Sequence, residues 1–150
     1  ATLIERAGVG YKWLNGFDIE PEPLLQVAAT MYNRNWATNN PTQARGFAVA
    51  LLRGIREMIS AAHNGPNRAE VIDVLIDRTA IKDRRLYDFM EWPGLHRDGE
   101  LSVASIENQQ RWYLTQGLLN QAVDINRFID LSFIRAAAAQ LGPYPGPGGY

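Results

Sequence analysis

Residues 41 to 62, Pro41-Thr-Gln-Ala-Arg-Gly-Phe-Ala-Val-Ala-Leu-Leu-Arg-Gly-Ile-Arg-Glu-Met-Ile-Ser-Ala-Ala62, decide the fold class, because they carry the clearest period in the chain. Phe47, Leu51, Leu52, Ile55, Met58, Ile59 and Ala62 recur at helical spacing, while Arg45, Arg53, Arg56 and Glu57 fall mainly away from the centre of that face. Asn39-Asn40 ahead of Pro41 is a helix start with proline in the first turn, and Asn64-Gly65-Pro66 is a stop. One long amphipathic helix is expected from Pro41 to Gly65. Gly46, Ala50 and Gly54 form a small-residue row at four-residue spacing along it. Such a row lets another backbone approach closely, at a helix-propensity cost of about 1 kcal/mol per glycine.

Upstream, Ala1 to Gly10 reads as the end of a helix stopped by Gly8 and Gly10, then a short extended piece, Tyr11 to Leu14, broken at Asn15-Gly16. Pro21 and Pro23 force an extended lead into Leu24 to Tyr32, where Val27, Thr30 and Tyr32 favour a strand that is apolar on both faces. Downstream, Asn67 and Glu70 have the layout of a capping box opening a second helix, with Val71, Ile72, Leu75 and Ile76 inward. Asp83 caps a short third helix carrying Leu86, Tyr87 and Met90, and Arg97-Asp98-Gly99 makes a tight turn. A fourth helix starts near Val103, with Ile106, Gln110, Tyr113 and Leu114 on one side and Gly117 as its stop. Ser132 caps a last helix, Phe133 to Leu141. Trp92 and Trp112 are assigned to the core between the third and fourth helices, and Trp13 to packing under the first turn. Residues 142–150, mostly proline and glycine, are expected to be an extended or disordered tail. The expected fold is α+β and mainly helical, with about five helices and one or two short strands.

The 150 residues are one domain's worth of chain, with an apolar fraction of 46% and a charged fraction of 21% that suit an ordinary soluble globular core. Fifteen basic and sixteen acidic side chains are interspersed, leaving a net charge of −1, so there is no electrostatic footprint for nucleic acid. No apolar run is long enough to span a bilayer, and the first residues lack the pattern of a signal peptide. The absence of cysteine removes thiolate metal sites, disulfides and a cysteine nucleophile together.

Catalytic constellations are hard to assemble. His63 fits a helix C-terminus and His96 a turn, and neither has a second ligand at helical spacing. Glu20 and Glu22 flank prolines in a surface connection, and Asp73, Asp77 and Arg78 form a charged outer face. Ser60, Ser102, Ser105 and Ser132 occupy helical or capping positions without a nucleophile elbow, and no glycine-rich phosphate loop is present. No catalytic residue, metal or cofactor is assigned. Aromatic and amide groups near the expected strand are the recognition candidates; the plainer reading is that Tyr32 and Trp36 only seal the join between strand and long helix.

Gly94-Leu-His-Arg-Asp-Gly-Glu100, Ser105-Ile-Glu-Asn-Gln-Gln-Arg-Trp-Tyr113, Gln116-Gly-Leu118 and Asp130-Leu-Ser-Phe133 occur in that order, behind Gln26-Val-Ala28, Met31-Tyr32 and Leu51-Leu-Arg-Gly-Ile-Arg56. In this order they resemble the C-terminal part of periplasmic solute-binding proteins of the nitrate/sulfonate/taurine type, a group that also contains the thiamine-precursor receptors. The resemblance implies the two-lobed type II periplasmic binding protein fold. Residues 1–141 are then a C-terminal solute-binding segment, with hinge-proximal strands in 1–36 and a helical region in 37–141, followed by the 142–150 tail. It implies a small organic or anionic solute held between the lobes, with Gln26, Tyr32 and Asn33 as ligand-binding residues. It also implies an N-terminal lobe, an ABC permease in the membrane as partners, and a periplasmic location. The competing reading is a non-catalytic helical domain that pairs with a partner chain or forms a homo-oligomer through an exposed apolar face.

Overall fold

In a computed structural model, which describes residues 2–14 and 25–148, the long helix forms without interruption. Helices α1 (Thr2–Arg6), α2 (Arg34–Asn39), α3 (Pro41–Ala62), α4 (Arg68–Arg78), α5 (Val103–Thr115) and α6 (Ser132–Leu141) are joined by irregular chain and two 3₁₀ segments, Arg84–Asp88 and Ile125–Arg127. The protein is mainly helical. Pro41 occupies the first turn of α3, where its missing N–H is no loss.

The core is the seam between α3 and α6. Ala48 and Leu52 of α3 meet Ile134 and Ala137 of α6, with Val49, Leu51, Leu131, Phe133, Ala138 and Leu141 packed around them. Leu52 is completely buried. The alanines on both sides let the helices approach closely, which rotates the buried stripe of α3 onto Ala44, Ala48, Leu52 and Ile59. Phe47, expected on that stripe, is half exposed instead. The Gly46, Ala50, Gly54 row lies on the solvent side, and a Cβ added at either glycine meets nothing within 4 Å.

Two arginines tie the irregular segments to α3. Arg56 donates from Nε to Arg97 O (3.2 Å) and from Nη2 to Asp98 Oδ1 (3.0 Å) and Gly142 O (2.9 Å), while its guanidinium lies 5.6 Å from the Tyr144 ring centroid. Tyr144 in turn donates its hydroxyl to Arg56 O (3.1 Å). The proline-rich tail, irregular as expected over 143–148, is therefore docked on α3. Arg68 joins α3, the 3₁₀ segment Arg84–Asp88 and Trp92, donating to Ala61 O and Tyr87 O (both 2.7 Å) beneath the Trp92 ring.

The strand expected over Leu24–Tyr32 does not form over residues 25–32, its described part. Residues 25–33 have no helix, ladder, turn or bend, and no strand occurs among the described residues, Tyr11–Leu14 included. β propensity becomes a strand only when a neighbouring strand accepts its backbone bonds, and no such neighbour exists among the described residues. Glu20, Glu22, Pro21, Pro23 and the Asn15-Gly16 turn lie outside the described residues.

Other local expectations divide. Asp83 accepts from Arg85 N and Ser102 from Ser105 N, as N-caps do; α5 ends before Gly117, whose φ is +69°, and His63 closes α3. The capping box at α4 is not made: Asn67 faces back to α3, accepting from Ser60 Oγ (2.8 Å) and donating to Glu57 O (3.1 Å). Ser132 is inside α6, and the side chain that accepts its N–H is Asp130 (2.9 Å). Trp92 is half buried and donates to Tyr87 O (3.1 Å), whereas Trp112 and Trp13 are exposed. His96 is half buried, its Nδ1 accepting from the N–H groups of Asp98 and Glu100 (both 3.3 Å) inside the tight turn.

Candidate functional site

Ser102, Ser105 and Gln109 fall on one face of α5 and its cap because three- and four-residue steps stack on a helix. That face holds Gln26 from three directions. Gln26 N donates to Ser105 Oγ (2.9 Å), Ser102 N donates to Gln26 Oε1 (2.8 Å), and Gln109 Nε2 donates to Gln26 O (2.9 Å) and Ser105 Oγ (3.2 Å). Ser105 is 2% exposed, so this bracket is a packed polar junction. Gln26→Ala is expected to lower stability by about 1 to 2 kcal/mol, because it strands the half-buried Ser102 N–H without its acceptor. Chemical denaturation of the variant beside the parent chain measures this.

At the other end of the same segment, Tyr32 packs edge-on against Phe133 of α6, with ring centroids 5.8 Å apart. Burial, and then the Asp130 carboxylate, push the Tyr32 phenol above its ordinary pKa. Asp130 itself is held below the usual carboxylate range by the Ser132 side chain and N–H, with Arg34 adding to the effect. Asn33 caps α2 by accepting from Trp36 N (3.1 Å), and Arg34 contacts Arg127 O.

The residues named from sequence thus bracket one segment. Gln26 anchors its start to α5, and Tyr32 and Asn33 anchor its end to α6 and α2. Between these anchors Val27 is 79% and Met31 90% exposed. Beside the Gln26 junction, Asn108, Gln109, Trp112 and Tyr113 line a depression of about 280 Å³, with Trp112 and Tyr113 in an edge-on pair at 5.3 Å. Its lining of neutral amides and aromatic rings suits hydrogen bonding and stacking. The sequence places Ser105 in a helix and Asn108 and Gln109 in the stretch that carries the resemblance, but nominates none of them for recognition. The signal was the Ser102, Ser105, Gln109 spacing, which gives α5 a polar stripe where a purely core-facing helix would be apolar.

No group of three or more His, Asp or Glu side chains among the described residues could hold a metal ion. No described helix is long and apolar enough to cross a membrane. No protein-family model, curated protein or solved structure matches the chain.

Proposed function

We propose that the chain is the C-terminal part of a periplasmic solute receptor of an ABC transporter, with the two-lobed type II binding protein fold. In this reading a small organic or anionic solute is captured between the lobes and passed to a membrane permease, without catalysis. The observation that carries the reading is the segment between Gln26 and Asn33. It runs without turn or bend, is fixed at both ends, and is bare in the middle although its side chains are uncharged and mostly apolar. A hinge strand of a two-lobed receptor has these properties when considered apart from the lobe that flanks it. Lobe closure about such a segment is driven by contacts made only when ligand is between the lobes.

The competing reading, a helical interaction domain, draws on the solvent-facing Gly46, Ala50, Gly54 row of α3. A thermal-shift screen separates the two, with sulfonates, nitrate, bicarbonate, aromatic carboxylates and pyrimidines tested on this chain and on its complete reading frame. At 100 times its dissociation constant a ligand adds about 2.7 kcal/mol, a rise of several degrees for a domain of this size. The receptor reading expects the complete frame to shift, and Tyr32→Ala to weaken the response. A screen in which neither form shifts favours the interaction domain.

A further inference from the structure

Residues 27–32, Val-Ala-Ala-Thr-Met-Tyr, carry a row of backbone groups that are unanswered among the described residues except at Ala28. Among the described residues none of their N–H groups donates to another group, and of their carbonyls only that of Ala28 accepts, from Gln26 Nε2 (2.6 Å). An uncovered row of this kind is a template for an added strand. We propose that the isolated chain forms a dimer in which this row pairs antiparallel with the same row of a second copy.

The identity of the occupant follows from self-complementarity. Residues 25–33 contain no charged side chain, so two identical segments bring no like charges together, and their composition is that of segments that pair readily as strands. A two-fold axis through Ala29, normal to the ladder, sets Val27 opposite the partner's Met31, Ala28 opposite the partner's Thr30, and Ala29 opposite its own copy. Because strand side chains alternate with period two, each facing pair then lies on one side of the ladder, as an isologous contact requires. The small Ala29 at the axis leaves room for the two backbones, and the bare side chains of Val27 and Met31 cover one another. The segment is already held at Gln26 and Asn33, so pairing removes little further freedom.

The proposal does not rest on the receptor reading, since it needs only the bare row. If both hold, joining the flanking lobe covers the row and dissolves the dimer. The test is sedimentation equilibrium of the chain as given, over a wide concentration range, beside three variants. Ala29→Pro removes a ladder N–H, because alternate residues face the partner and Val27, Ala29 and Met31 are the set whose carbonyls are all free. Val27→Lys combined with Met31→Lys sets ammonium groups opposite one another across the two-fold. Ala50→Arg alters the small-residue row of α3 instead. The expected result is a dimer for the parent chain and for Ala50→Arg, with association weakened at least about tenfold in the other two. Unchanged helical circular dichroism certifies each variant, and if Ala29→Pro fails to fold the double lysine variant decides. The proposal is overturned by a parent chain that stays monomeric throughout, by a dimer that survives the lysine variant, or by one that Ala50→Arg abolishes.

Discussion

Arg56→Ala lowers the stability of the chain by about 3 kcal/mol and frees its C-terminus, because one side chain fastens three otherwise separate segments. The Arg56 side chain is only 11% exposed, and it serves the Arg97 carbonyl, the Asp98 carboxylate and the Gly142 carbonyl at once. Truncation leaves two backbone carbonyls without a donor and removes the cation facing the Tyr144 ring. Asp98 is partly exposed and recovers some hydration, which keeps the loss below that of a fully buried pair. Arg56→Lys should fall between the two, since one ammonium cannot reproduce a planar fork that reaches three acceptors. Urea denaturation gives the stability change, and carboxypeptidase digestion reports whether residues beyond Gly142 have come loose. An alanine variant within about 0.5 kcal/mol of the parent, the usual effect of an ordinary surface substitution, would show that the docked tail contributes nothing.

Gly99→Ala is expected to have an effect of similar size from a different cause. Gly99 has φ +71°, a left-handed conformation that costs a side-chain-bearing residue about 1 to 2 kcal/mol. A Cβ there would also stand 2.7 Å and 2.8 Å from the outer carbons of Ile134, a core residue of α6, and overpacking of this kind adds about 1 to 3 kcal/mol. The sum is about 2 to 5 kcal/mol, read as a fall in the denaturation midpoint. A double-mutant cycle with Ile134→Ala distinguishes the two contributions. The new methyl then enters the space that the isoleucine vacated, so the combined loss should be smaller than the sum of the single losses. Strict additivity would place the whole effect in the backbone conformation and none in the contact with α6.

Helix positions were readable wherever local chemistry decides them. Pro41 in a first turn, the caps Asp83 and Ser102, and the stops at Asn64-Gly65 and Gly117 act within a few residues of themselves. Which part of the α3 stripe is buried was not readable in this way. Phe47 and Ala48 are neighbours, and the choice between them is made by the alanine face of α6, more than 80 positions away. The Pro-Gly tail has the composition of a flexible segment, and its docking depends on one tyrosine meeting one arginine 88 positions earlier. The spacing of Asn67 to Glu70 is that of a local cap, but the Ser60 hydroxyl and the Glu57 carbonyl of α3 take its side chain instead. The strand is the most instructive difference. Val27, Thr30 and Tyr32 have side chains that suit a pleated sheet, yet a strand is a relation between two chain segments, and sequence describes only one of them. Of the residues nominated for ligand contact, Gln26 and Asn33 each hold a defined polar contact and Tyr32 an aromatic one, so all three position the same short segment.

Both the receptor reading and the dimer rest on the bare backbone row from Val27 to Tyr32, and amide hydrogen exchange tests it directly. In a sample dilute enough to be monomeric, the amides of residues 27–32 should exchange near the rate of an unstructured chain, while those around Leu52 in α3 are slowed to the level of global unfolding. Strong protection of residues 27–32 in that dilute monomer would mean that the row already has partners within the chain, and both readings would lose the observation they stand on.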